Sequence, residues 1–358
     1  MSLLKEVRSD NTPKILELLQ GKPDLSVTDK NGNNLLHLTI LNQNEVVLKQ
    51  LLAANDGSLN INACNEDGIP AISLCISQNF ADGVDALINA GADINVLSEE
   101  GSLTPLHFCA KFNNLEAAKT LLRKKADPNI TSSTGSPLCI ATYHNNDEVA
   151  FKLLDTPDID LTLTDSDSNT FLHIAVLQSA TNVLQKFLLE DVEKFKEQGV
   201  DIAALLNTQN KDGNTILHLA ELLEKTTFSS FFKQKAVPLG LDVNIRNNKG
   251  KTAEQCKAEV IENKKALEEK KKLEKEEAKE AKKNKKILRE QLEEDRRAHE
   301  AAEAERNQRR IESAKKAMEQ TQKYGPYVIV VIVILSLVAV YFFFEHAIQK
   351  KKDNILDL

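Results

Sequence analysis

Histidine and cysteine are the side chains in this 358-residue chain with the readiest metal-binding or catalytic chemistry, and there are seven and five of them. Four histidines, His37, His107, His173 and His218, each follow a leucine (Leu36, Leu106, Leu172, Leu217). Four imidazoles in one place could hold a transition metal or move protons. Cys64, Cys75, Cys109, Cys139 and Cys256 are odd in number and show no C-x-x-C spacing. Neither a disulfide framework nor a zinc site is indicated, and thiols buried in a reducing compartment are expected. No phosphate-cradling glycine loop, H-E-x-x-H, G-x-S-x-G or kinase set is present. The expectation is a chain that is no enzyme and uses no metal, cofactor or small-molecule substrate.

The histidines sit inside a recurring phrase. It reads DKNGNNLLHLTI from Asp29, EDGIPAISLCI from Glu66, EEGSLTPLHFCA from Glu99 and STGSPLCIAT from Ser133. It returns as DSDSNTFLHIAV from Asp165, KDGNTILHLAE from Lys211 and NKGKTAEQCK from Asn248. The aligned turn residues are Gly32, Gly68, Gly101, Gly135, Ser168, Gly213 and Gly250, spaced 36, 33, 34, 33, 45 and 37 apart. Glycine suits a tight turn, and Thr104, Thr170 and Thr215 stand where a hydroxyl caps a helix. Pro105 fits the first helical turn. A second apolar helix follows each phrase, as in Glu45–Ala53, Gly83–Asn95 and Leu115–Asn129.

The period and the TPLHFCA copy at Thr104–Ala110 resemble the ankyrin repeat, over roughly residues 1–258. The resemblance implies an all-α solenoid of helix-turn-helix repeats with β-turn tips. About six to seven repeats are expected, with a capping repeat over 1–28 and a truncated one over 248–258. It implies that the phrase histidine hydrogen-bonds neighbouring turns together, and histidines a repeat apart cannot share a metal. It also implies protein binding along the concave side, through turn tips and the exposed face of each first helix. Carried over by position, the helix residues are Leu41, Asn42, Ser77, Gln78, Lys111, Phe112, Tyr143, His144, Leu177 and Gln178. Phe112 and Tyr143 stand out as aromatics on adjacent repeats, either interface anchors or packed on a neighbour. The tips carry Glu66, Asp67, Glu99, Glu100, Asp165, Asp167 and Asp212, an acidic rim that is either a solvated surface or a contact for a basic partner. The pattern departs from the family at Ser73, which replaces histidine, and at the 45-residue spacing. That spacing holds a charged insertion, Asp191–Leu206, read as a longer helix or a protruding loop, bland or partner-specific.

The net charge of −7 hides an asymmetry: residues 1–256 carry 22 Lys/Arg and 33 Asp/Glu, and residues 257–326 carry 21 and 17. An acidic body argues against nucleic acid, which needs a basic footprint. Over 259–323 no Gly or Pro interrupts a run of helix-favouring Ala, Glu, Lys, Arg and Gln. Charge pairs such as Glu293/Arg297 and Glu305/Arg309 support one helix, about 100 Å long if unbroken. Its heptad seam (Leu273, Glu277, Glu280, Asn284, Ile287, Gln291, Glu294, Ala298) is polar. A solitary charged helix is favoured, and weak self-association as a coiled coil stays open.

Gly325–Pro326 breaks the pattern before Tyr327–Phe344, eighteen residues without a charge. Such a run is read as a transmembrane helix, followed by a short tail, 345–358. Tyr324, Tyr327 and Tyr341 suit the interfaces, with Lys323 and Lys350–Lys352 outside them. The arrangement is similar to tail-anchored proteins. It implies cytosolic repeats on the endoplasmic reticulum or another secretory membrane, with the mitochondrial outer membrane or peroxisome as alternatives. The expected function is a membrane-tethered adaptor for a cytosolic protein. The alternative is a structural tether acting through 259–323.

Overall fold

The computed structural model describes residues 3–99, 101–321 and 328–353, with side-chain surroundings over 3–99, 101–319 and 332–345. It divides into two units, Met1–Lys265 and Ala266–Leu358.

The first unit is a stack of helix pairs. A leading pair, α1 (Leu3–Arg8) and α2 (Thr12–Gln20), is followed by α3 (Leu35–Leu41) with α4 (Glu45–Ala54). Then come α5 (Ala71–Ser77) with α6 (Ala81–Asn89), α7 (Pro105–Phe112) with α8 (Leu115–Arg123), and α9 (Pro137–Tyr143) with α10 (Asp147–Leu154). The first helices begin alike except α5, which starts on Pro70 without a side-chain cap. In α7, Thr104 is extended and its hydroxyl accepts from the His107 backbone N–H, while Pro105 opens the helix. They also end alike, on a left-handed polar residue: Gln43, Asn79, Asn113, Asn145, Ser179 or Glu224. Successive first helices pack on one another, α3 on α5, α5 on α7 and α7 on α9, as do the second helices α4, α6, α8 and α10 in turn. Leu36, Leu48, Leu51, Leu106, Leu121, Leu138, Leu153 and Leu172 fill one continuous buried seam. The all-α solenoid thus stands as expected.

The tips are tight turns joined by backbone bonds, such as Glu66 N to Asn31 O (3.0 Å) and Glu99 N to Gly68 O (2.9 Å). At Gly32 φ is +67°, and a Cβ there would lie 2.8 Å from Glu66 N. Glycine is required both for the turn and for the next tip's approach. Ser168, in the equivalent place, has φ of 60°.

The insertion is a packed element, not a protruding loop. α11 (Phe171–Gln178) is followed by α12 (Thr181–Gln185), a π-helical segment Lys186–Asp191, α13 (Val192–Glu197) and α14 (Ile202–Leu206). Phe187, Val192, Phe195, Ile202, Leu205 and Leu206 are buried. Phe187 meets Phe171 edge-on at 5.3 Å and Phe195 at 5.7 Å. Lys194 Nζ donates to Leu154 O at 2.8 Å, fastening the lengthened helix to the preceding repeat. Irregular π turns absorb the added residues without breaking the hydrogen-bonded run.

The last full pair is α15 (Ile216–Leu222) and α16 (Thr226–Phe231), the latter extended by a second π segment, Phe232–Ala236. The final phrase then runs into α17 (Ala253–Thr321), a single helix of 69 residues. Its root acts as the closing cap. Ala253 and Cys256 are buried, Lys257 Nζ lies 3.5 Å from the buried Glu221 carboxylate, and Lys264 pairs with Glu224.

In the second unit α17 is exposed all round through residue 319. Among its i,i+4 ion pairs are Arg309–Glu305 (2.7 Å), Arg296–Glu300 (3.6 Å) and Lys286–Glu290 (3.7 Å). Each contributes at most about 0.5 kcal/mol at such exposure. The other helix is α18 (Val328–Asp353). Among the described residues no helix is long and apolar enough to cross a membrane. The span expected over Tyr327–Phe344 is therefore not found there. Tyr327 and the side chains of 328–331 lie outside the described residues, as do Lys323, Tyr324, Gly325–Pro326 and the Lys350–Lys352 side chains.

Candidate partner-binding surface

The residues with the readiest chemistry are committed to holding the stack. His37 Nε2 lies 2.9 Å from Ile69 O, His107 Nε2 3.2 Å from Gly135 O, His173 Nε2 3.1 Å from Asn214 O and His218 Nε2 3.0 Å from Lys251 O. Each acceptor belongs to the next repeat. On the other side of the ring, Nδ1 accepts from the cap backbone N–H, at 3.0 Å from Thr104 N and 3.3 Å from Thr170 N and Thr215 N. Those partners assign a neutral ring with its proton on Nε2. Burial holds all four below the usual histidine range, His107 and His173 down to about 4. Among the described residues no His/Cys/Asp/Glu group could hold a metal ion. The thiols of Cys75, Cys109 and Cys139 are buried, and burial pushes each up.

Two positions interrupt this pattern. Ser73 stands in a histidine place, and its buried hydroxyl has no partner. Cys139 stands in another, its thiol 3.8 Å from Leu163 O.

The first helices leave a different set of side chains uncovered. Leu41 is 48 % exposed, Phe112 46 %, Tyr143 54 % and Leu177 36 %, far above their buried neighbours on the same helices. Leu41, Lys111, Tyr143 and Leu177 lie four residues after the phrase's histidine position, and Phe112 and His144 lie five after it. One side of the last first-helix turn is thus apolar and open in four repeats. Leu223, five residues after His218, is 45 % exposed and extends the row into the last repeat. Counting five residues on from that histidine locates it in the sequence.

Phe112 neither packs away nor stands alone. Its ring lies 6.2 Å from the buried Phe108 ring, and Lys111 Nζ sits 5.6 Å above it. Tyr143 meets His144 edge-on at 5.2 Å. Burial and the nearby Lys111 charge hold His144 below its usual range, so it is neutral at pH 7. The row therefore offers apolar and π surface with one cation. Ser77 and Asn42 are half-buried, and Asn42 Nδ2 donates to Val7 O at 2.7 Å. They tie or space repeats more than they present a contact.

The tip carboxylates do not form one rim. Glu66, Asp67 and Glu99 are exposed on joined tips, and Asp167 and Asp212 on another pair. Between them the Ser132–Gly135 tip carries no charge. Asp167 also faces Lys211 at 3.7 Å. Asp165 leaves the set: its carboxylate accepts from Asp167 N (2.9 Å) and Asn169 N (2.8 Å), building its own turn. Glu100 lies outside the described residues.

A profile of ankyrin repeats (3 copies) matches residues 3–98 and 73–165. The chain is 30 % identical over 232 residues to an ankyrin repeat protein of fowlpox virus (strain NVSL), covering 58 % of this chain and 67 % of that one. It is 31 % identical over 127 residues to the nuclear factor NF-kappa-B p105 subunit of Gallus gallus, 35 % of this chain but only 13 % of the chicken protein. Against the crystal structure of the ankyrin repeat domain of Bcl-3 the TM-score is 0.51 at 21 % identity, covering 61 % of this chain and 93 % of that one. That likeness concerns the fold alone.

Proposed function

The chain belongs to the ankyrin repeat family, and from that premise we propose that it is a non-enzymatic adaptor, anchored to a membrane, whose first-helix row binds a protein partner. The observation that carries the binding reading is the recurrence of exposed apolar side chains four or five residues past the histidine position in five repeats, Leu41, Phe112, Tyr143, Leu177 and Leu223, with only the α5 repeat between them carrying Ser77 and Gln78 instead. A solenoid buries every residue its own stacking needs. Large apolar residues kept open at matching places are what a partner would cover. The exposed Glu66, Asp67, Glu99, Asp167 and Asp212 favour a partner with basic residues beside its apolar contact. Anchoring is supported by the exposed, uncharged side chains Val333, Ile334, Leu335, Leu337, Val338, Val340 and Tyr341–Phe344 of α18. Water disfavours so continuous an apolar surface, and lipid suits it. In this reading the repeats face the cytosol, at the endoplasmic reticulum or another secretory membrane.

Proximity labelling from the membrane-bound chain supplies the partner, and titration with the Phe112→Ala/Tyr143→Ala variant tests the surface. Affinity is expected to fall about thirtyfold or more, with the melting temperature nearly unchanged. Full binding by the variant would rule this surface out, and unfolding would assign both rings to the core.

A further inference from the structure

The rod of α17 is not evenly charged. Residues 282–289 carry five basic residues and no acidic one, and residues 290–295 carry four acidic and no basic. The boundary coincides with its densest apolar group, Ile287, Leu288 and Leu292, all exposed. Local i,i+4 support needs opposite charges four residues apart; the blocks keep it only at their edges, at Lys286–Glu290 and Glu293–Arg297, and leave the charges inside them without it.

We propose that α17 pairs with α17 of a second copy, antiparallel, about a two-fold axis between Leu288 and Arg289. Counting outward from that axis sets Lys283 opposite the second copy's Glu294 and Glu280 opposite its Arg297. Symmetry makes each pair twice. Glu280, Lys283, Ile287, Glu290, Glu294 and Arg297 recur at alternating three- and four-residue steps, so they share one face. Ile287 lies on this face beside the axis, opposite the second copy's Glu290, while Leu288 lies off it. Lys283, Glu280 and Glu294 enter none of the recorded ion pairs of their own helix. Parallel, in-register pairing would instead set basic block on basic block and acidic on acidic, which repel. A seam this polar binds weakly and loses strength as salt rises.

In the antiparallel pair the two C-terminal ends point in opposite directions. Combined with the anchoring proposed above, on which this consequence alone rests, the pair joins two bilayers.

The test uses the full chain in detergent micelles, with the half-exposed Cys64 changed to Ser and the four buried cysteines kept. Glu280→Cys and Arg297→Cys chains should crosslink when mixed at low salt, and neither should crosslink to itself. Lys283→Glu and Glu294→Lys should each weaken the dimer about tenfold, and together restore it. All these sites are exposed on a helix, so circular dichroism should not change. Self-crosslinking of each single variant, or no dimer at any salt concentration, overturns the pairing. For the bilayer consequence, full chain reconstituted in phosphatidylcholine vesicles should cluster them. Crosslinking without clustering overturns the joining of bilayers and leaves the pairing intact.

Discussion

His107 and His173 are fully buried, with one ring nitrogen taking a cap N–H and the other giving its proton to the next repeat. A protonated ring would lose the Nδ1 acceptor and carry an unpaired charge into the core. Their folded pKa of about 4 lies below the unfolded value near 6.5. The unfolded state therefore binds more protons between these values. The histidine contribution is complete above pH 6.5 and is lost as pH falls through about 4. Thermal melts of the repeat unit are expected to drop on the order of 5 °C or more across that window. His107→Gln should flatten the dependence while lowering stability at pH 7. An unchanged pH slope in that variant would show that carboxylates, not histidines, set it. The structural role of these histidines was implied by the resemblance to the ankyrin repeat. The orphaned Ser73 hydroxyl and the turn-building role of Asp165 were not, because both depend on what surrounds the side chain, not on its position in a phrase.

At the scale of elements, α17 begins as part of the stack and continues as a rod. Its first turns bury Ala253 and Cys256, and they set Lys257 and Lys264 against Glu221 and Glu224 of α15 and its end. Burial alone would raise the Glu221 carboxyl, but it accepts from the Ser229 hydroxyl and from Lys233 at 3.0 Å, and these bonds with the Lys233 and Lys257 charges hold it below the usual range. Terminal repeats need such closure because the face they leave is apolar. Residues 1–265 should therefore melt roughly 5–10 °C above residues 1–252. Equal melting temperatures would mean that α16 closes the stack alone. The insertion teaches the same point from inside. Its charged residues read as surface, but Phe187, Phe195 and Ile202 are the ones that decide, and they pack against α11 and their own neighbours.

At the scale of the whole molecule, the repeat unit and the rod-bearing unit carry separable properties. Residues 320–358 are expected to carry a soluble reporter to membranes, resistant to carbonate extraction, while residues 1–319 are expected in the supernatant. A carbonate-resistant pellet of the truncated chain would place the membrane attachment elsewhere. The adaptor reading needs both properties in one chain, and the tether reading needs the rod to pair.

The period, the caps, the histidine register and the exposed row from Leu41 to Leu177 were all determined by the sequence itself. Each repeat touches mainly its neighbours in the chain, so spacing along the sequence becomes spacing in the stack. The uninterrupted charged helix was equally local, written in propensity and i,i+4 order. Only the tertiary structure decided that the insertion is core, and that Lys257 and Lys264 hold the root of the rod against the last repeat. These features rest on contacts such as Lys194 with Leu154 or Lys264 with Glu224, between residues some forty positions apart. Nothing in the local pattern of either partner announces the other, because burial and ion pairing depend on which distant surface arrives.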